Sequence, residues 1–322
     1  MHKDREIFRS GGRQKGQVVN SSSYRLLIRL ETCHWLLRIF CTFVLQKNSK
    51  PHSDSNTVKA AFLLQFTMEK RPQILLSNDD GYMAPGIQFL IDLLKPLGDL
   101  TVVAPKFGQS GMSTAITVKT PLDLILVSEE PGLKIYRSNG TPVDCVKLAL
   151  NILFPTKHPD ALFSGVNHGT NSSVAIHYSG TMGAVLEGCM NGIPSVGFSL
   201  DDHRVEADFE PARPFLYKIA EQLLKNGLPK GICLNVNIPL VPQVKGIRLC
   251  RQADGKWVEE FEMRKHPRGG DYYWLMGSFR NDEPDSTDTD MHAMEKGYIS
   301  VVPSQIDMTS YPMLEAMKSW EL

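Results

Sequence analysis

The chain has 322 residues, with 35 Lys+Arg balanced by 35 Asp+Glu and a formal net charge of zero. That length gives room for one large α/β domain with an appendage, or for two domains. The neutrality hides a split: residues 1–67 hold 11 Lys+Arg against 4 Asp+Glu, and residues 68–322 hold 24 against 31. An acidic body excludes nonspecific DNA binding, which needs a basic face. Cys33, Cys41, Cys145, Cys189, Cys233 and Cys250 are scattered without a CxxC pair. They suit small buried residues of a reducing, cytoplasmic compartment and not a disulfide framework or zinc site.

Residues 1–67 are polar and basic at first, amphipathic from Tyr24 to Leu45, and polar again from Gln46 to Lys59. Their longest charge-free apolar run, Ile39 to Leu45, is too short to span a bilayer, and no secretory cleavage pattern follows it. The enrichment in Arg and Ser weakly resembles a transit peptide. The expectation is a poorly ordered extension outside the folded domain, with one helix near 24–45 and Met68 as the start of the folded part.

From Gln73 the pattern becomes that of an α/β domain. Ile74, Leu75 and Leu76 form a short apolar run bounded by Pro72 and the Asn78–Gly81 turn, as expected for a strand buried on both faces. Ile87, Leu90, Ile91 and Leu94 place one apolar face on a helix over 84–95, with Pro85 in its first turn. Leu100 to Ala104 is the next strand, so the unit is βαβ and its strands are parallel. Ile116–Val118, Leu122–Val127 and Lys134–Arg137 suggest short strands in a hairpin-rich excursion. Thr141 and Pro142 start a helix through Leu153. Strands are expected at Ala161–Phe163, Pro194–Leu200 and Ile232–Val236, the last closing the core sheet, with helices at Met182–Met190 and Pro214–Lys225. Beyond Lys245 come short alternating strands at Gly246–Arg251, Trp257–Met263, Tyr272–Gly277 and Tyr298–Val302, and a last helix over Tyr311–Trp320. The acidic stretch Asn281–Asp290 reads as a solvated loop. The fold class is therefore a Rossmann-like, mostly parallel sheet flanked by helices. A C-terminal hairpin-rich extension over 245–305 is expected to support oligomerisation, with Gln252–Gly277 as the dimerising part.

Four loops follow strands of that sheet and so share its carboxyl edge, where open α/β sheets bind ligands. The first carries Asp79 and Asp80, two adjacent carboxylates whose mutual repulsion a hard divalent cation would relieve. Asn-Asp-Asp-Gly is also good turn chemistry. The second, Pro105–Thr114, and the third, Ser164–Asn171, supply hydroxyls, amide carbonyls and glycines. The fourth, Ser179-Gly180-Thr181, opens a helix and offers free N–H groups to an anion, or simply a cap. Neither GxGxxG nor GxxxxGK[ST] occurs. His168 and His177 have no obvious carboxylate partner nearby in sequence and are not expected to be catalytic.

In their order and spacing, ILLSNDDGYMAPGI, APKFGQSGMS, SGVNHGTN, YSGTMGAVLEG and GYISVVP resemble the SurE survival-protein nucleotidases over Pro72 to Gln305. The resemblance implies a divalent-metal-dependent phosphatase that converts nucleoside 5′- and 3′-monophosphates to nucleoside and phosphate, with a possible exopolyphosphatase side activity. It implies one Mg²⁺ or Mn²⁺ per subunit on Asp79, Asp80, Ser110 and Asn167. Phosphate contacts are implied at Asn78, Gly111, Asn171, Ser179, Gly180 and Thr181, and the expected partners are nucleotides and a second copy of the chain, as homodimer or tetramer, with neither DNA nor membrane. Asp80 is the expected general base, beside Asp79. His168 and the run Ser172–His177 depart from the commoner pattern, and residues 1–67 have no counterpart. A non-catalytic nucleotide sensor on the same fold is the competing expectation.

Overall fold

A computed structural model of the chain describes residues 71–204 and 206–321. The extension expected over 1–67, with its helix near 24–45, lies outside the described residues.

The frame is a nine-stranded sheet whose central six strands are parallel. These are β4 (Leu133–Ser138), β2 (Asp99–Pro105), β1 (Gln73–Ser77), β5 (Ala161–His168), β6 (Ser195–Leu200) and β7 (Ile232–Ile238), side by side in that order. β3 (Ile125–Glu130) is antiparallel on one edge. Ile116–Val118, expected as a strand, carries no strand pairing: the segment is an exposed connection between the β2 loop and β3. On the other side the sheet does not end at β7. β13 (Ile299–Gln305) returns to pair with it antiparallel, and β8 (Ile247–Leu249) adds parallel to β13. YISVV reads as a strand in sequence, but the pairing crosses about sixty residues and local pattern does not reveal it.

Alternation along β1 sets the two cores. Ile74 and Leu76 face α1 (Pro85–Leu94) and α4 (Arg213–Asn226), packing with Ile87, Leu90, Phe163, Phe198 and Leu216; Leu75 faces α2 (Pro142–Leu148) and α3 (Gly180–Met190), packing with Val146, Leu150, Met182 and Val185. Each such side chain, fully buried, contributes about 1.5–3 kcal/mol. α2 begins with a capping box: Thr141 Oγ1 accepts from Asp144 N, and the Asp144 carboxylate accepts from Thr141 N. It continues as a wider turn to Leu153, the end expected for that helix.

The C-terminal part holds two small antiparallel pairs, β9 (Gly255–Val258) with β12 (Ser278–Asn281) and β10 (Phe261–Lys265) with β11 (Asp271–Leu275). The single strand expected over Trp257–Met263 is broken at Glu259, whose φ of 52° is incompatible with extended pairing. Asn281–Asp290 is not a solvated loop throughout. Thr289 and Asp290 are fully buried, and Thr289 caps a short helix, α5 (Asp290–Glu295). Asp290 Oδ1 accepts from Ala253 and Met291 N–H, and Oδ2 from Ser173 N–H. A last helix, α6 (Tyr311–Ala316), is exposed. Among the described residues no helix is long and apolar enough to cross a membrane.

Candidate active site

Parallel register brings Ser77 at the end of β1 beside Ser164 of β5, so the segments beyond them leave the sheet at one edge. After β1 the chain turns at once. Asn78 is fully buried and spends its side chain on that turn, with Nδ2 donating to Gly81 O at 2.9 Å and Oδ1 accepting from Gly81 N at 3.2 Å. The amide oxygen and one amide N–H of this expected phosphate contact are thus engaged in the turn. Gly81 has φ 106°, which favours glycine, and a Cβ there would meet the Pro105 carbonyl at 3.4 Å.

The turn sends Asp79 inward and Asp80 toward the edge. Asp79 is 4% exposed, and its Oδ1 accepts from Thr181 Oγ1 at 2.5 Å. Gly180 packs directly on it: an added Cβ would lie 2.8 Å from Asp79 Cβ and 3.0 Å from Oδ2. Burial pushes the Asp79 carboxyl up to about 6; the Thr181 hydroxyl pulls the other way, and the neighbouring Asp80 charge adds to the rise. Asp80 is partly exposed, and its Oδ2 lies 3.2 Å from His168 Nδ1 and 3.3 Å from His168 N. His168 thus has the carboxylate partner that its sequence neighbours lack, 88 positions away. Among the described residues neither aspartate pairs with Lys or Arg.

The loop after β2 is tied to both neighbours. Gln109 N donates to Asp79 O at 2.7 Å, Ser113 Oγ donates to His177 O at 2.6 Å, and Ser113 N donates to Tyr178 O at 3.2 Å. Between these anchors Ser110 and Gly111 are exposed, and Gly111 has φ 74° with open space where a Cβ would stand. Ser110 thus lies one residue from a main-chain contact with Asp79. The third loop is less of a loop than expected, since β5 runs on to His168 over an irregularity between Ser164 and Asn167. Asn167 Nδ2 donates to Gly169 O at 2.7 Å, which turns its amide; among the described residues its Oδ1 accepts no hydrogen bond.

Asn171 is held on three sides: its N–H donates to Asn237 Oδ1 at 2.7 Å, its carbonyl accepts from Asn235 Nδ2 at 2.8 Å, and its own Nδ2 donates to Ser199 Oγ at 2.7 Å. Ser179 caps α3, its Oγ accepting from Met182 N at 3.0 Å. Main-chain N–H groups at this helix start have no intrahelical acceptor. Sequence reasoning missed the segment after β6. His203 covers Gly169, where a Cβ would lie 2.3 Å from its ring, and the buried Asp202 accepts from Arg204 Nε at Oδ1 and from its terminal nitrogen at Oδ2. Only its position past a strand end could have flagged it.

These residues fit a hard cation. A buried carboxylate and a second one beside it, with no Lys or Arg paired to either among the described residues, carry charge that a divalent ion would compensate. Among the described residues no three His, Cys, Asp or Glu side chains gather as a metal cluster. The expected donor set, Asp79, Asp80, Ser110 and Asn167, is instead two carboxylates with a hydroxyl and an amide carbonyl, oxygen chemistry of the kind hard divalent ions take.

A family profile described as "Survival protein SurE" matches residues 74–259, from β1 through the hairpin base. The Phocaeicola vulgatus protein named 5′-nucleotidase SurE is 50% identical over 254 residues, spanning 79% of this chain and 98% of its own length. The protein of the same name from Bacteroides fragilis is 47% identical over 253 residues, spanning 79% and 99%. The crystal structure of the SurE protein from Aquifex aeolicus superposes with a TM-score of 0.67 at 35% identity, covering 77% of this chain and 98% of that one. With the profile spanning more than half the chain and relatives matched over nearly their whole length, this chain belongs to the SurE family.

Proposed function

We propose that the chain is a divalent-metal-dependent 5′-nucleotidase that hydrolyses nucleoside monophosphates to nucleoside and phosphate at the edge carrying Asp79 and Asp80. The observation that carries this reading is the pairing of two carboxylates, without a Lys or Arg partner among the described residues, with the N-terminus of α3, packed on Asp79 through Gly180. One is a place for a cation, the other for an anion. The relatives' name supplies the reaction.

Asp79, Asp80, Ser110 and Asn167 would hold one Mg²⁺ or Mn²⁺ per subunit. When bound, such an ion neutralises phosphoryl charge and makes a coordinated water more acidic. The protein's own part is positioning and charge placement, which dominate phosphoryl transfer. Asp80, the more exposed carboxylate, accepts the proton of the attacking water. Thr181 has given its hydroxyl to Asp79, so its phosphate contact is its main-chain N–H. That group and Gly180 N–H face the developing negative charge, with Ser179, Asn171 and Gly111 around them. The same site accommodates 3′-nucleotides and the end of a polyphosphate chain, which present the same terminal phosphoryl group. Self-association through the β10–β11 hairpin, which exposes Phe261, Tyr273, Trp274 and Leu275, completes the proposal.

Phosphate release from 5′-AMP, 5′-GMP, 3′-AMP and tripolyphosphate, with Mg²⁺ or Mn²⁺, tests it. Turnover fastest on the 5′-monophosphates supports the reading. Nucleotide binding without release of phosphate from any of them makes the chain a sensor instead.

A further inference from the structure

We propose that His168 is a positioning residue that fixes the Asp80 carboxylate for cation binding. This rests on the metal-dependent reading above and adds a residue outside its ligand set. Asp80 Oδ2 receives two bonds from one residue, Nδ1 at 3.2 Å and the main-chain N–H at 3.3 Å. Among the described residues Oδ1 has no partner. The pair therefore occupies one oxygen and leaves the other for a ligand, as outer-shell donors to metal-binding carboxylates do.

The ring is held for that task. Phe209 meets it edge-on, with centroids 5.4 Å apart and planes at 78°, and Phe209 in turn packs on Phe89 of α1 at 5.4 Å. The ring's far nitrogen, Nε2, is buried and has no hydrogen-bond partner among the described residues. A carboxylate accepts and does not donate, so Nδ1 must carry the proton. The same assignment leaves a bare lone pair on the orphaned nitrogen, which is cheaper to bury than an unpaired N–H. Both ends of the ring thus select one tautomer, the Nδ1–H form, and with it one orientation of Asp80.

Two substitutions separate donor from packing. His168→Asn keeps an N–H donor near the Nδ1 position but loses the ring; His168→Leu keeps apolar bulk against Phe209 but has no side-chain donor. Mn²⁺ is titrated by calorimetry into the chelator-stripped full chain without nucleotide. The expected result is a Kd weakened about 10- to 100-fold in the Leu variant and within about threefold of wild type in the Asn variant. Equal losses in both, or wild-type affinity in the Leu variant, would overturn the role while leaving the metal site standing. A wild-type chain that binds no Mn²⁺ would remove the site and the role together. A measurement on the unaltered chain needs no variant to fold: two-dimensional NMR of the labelled imidazole at pH 8, where the Nδ1–H tautomer is expected and the Nε2–H tautomer would overturn the proposal.

Discussion

Thr181 Oγ1 donates to Asp79 Oδ1 at 2.5 Å, which fastens the first turn of α3 to the carboxylate that ends β1. The bond joins residues 102 positions apart and sets the distance between the candidate cation and anion positions. Thr181→Val keeps the shape and removes the donor. Its expected effect is a loss in kcat/KM of about 10- to 100-fold, with Thr181→Ser near wild type. Gly180→Ala places a Cβ 2.8 Å from Asp79 Cβ, so the carboxylate must move, and displacements of about 1 Å cost on the order of 100-fold in rate. Steady-state kinetics on 5′-AMP, beside thermal melts that show the variants fold, checks both.

Asp79 gives the metal-free chain a definite pH dependence. Its folded value of about 6 lies above the ordinary 3.8, so the native state holds this proton more tightly than the unfolded chain does. The stabilisation is fully present below about pH 4 and is lost as pH rises through 6, about 3 kcal/mol in all. Asp79→Asn removes that loss. Urea denaturation with EDTA is expected to show the variant gaining on wild type between pH 4 and 7. Metal binding runs the opposite way, because the ligand must be ionised: affinity is expected to fall about tenfold per unit below pH 6.

Asp290 ties the C-terminal extension to the site. Its carboxylate accepts main-chain N–H groups from Ser173, two residues past Asn171, and from Ala253 and Met291. Asp290→Ala leaves three donors unpaired, two of them buried, and is expected to cost on the order of 3 kcal/mol. Asp290→Asn can keep the two bonds at the Oδ1 position and should lose less. Chemical denaturation orders the three proteins, and wild-type stability in the alanine variant would show that the carboxylate does not carry this joint.

The β10–β11 hairpin leaves Phe261 65% exposed, Tyr273 60%, Trp274 57% and Leu275 68%. The register puts Phe261, Tyr273 and Leu275 on one face of this ribbon and Trp274 on the other, and exposed apolar groups of this kind suit the proposed self-association. Replacing Phe261, Trp274 and Leu275 by Ser is expected to shift light-scattering mass from an oligomer to the 36.0 kDa chain. A wild-type chain already at monomer mass would contradict it.

What the sequence reveals follows from the range of the interactions involved. Leu75 between Ile74 and Leu76, Pro85 in the first turn of α1 and Thr141 with Asp144 are local signals, and the strands and helices they imply are present. The meeting of Asp79, Asn167 and Ser179 at one edge follows from parallel strands with helical crossovers. The partners of the polar groups do not follow. His168 looks unpartnered until β5 is laid beside β1. Asp290 sits at the end of an acidic run that resembles solvated surface, and only the donors of Ser173 and Ala253, far away in the chain, make its burial tolerable.

The central claim is that the Asp79–Asp80 edge hydrolyses nucleotides with a divalent ion. It is tested most directly by phosphate release from 5′-AMP by the full chain stripped with EDTA, then supplied with Mn²⁺ or Mg²⁺, beside Asp80→Asn treated identically. No release is expected when stripped, with recovery on adding metal and a deficit of at least about 100-fold in the variant at every metal concentration. Undiminished release in EDTA, or an Asp80→Asn chain as active as wild type, would contradict it.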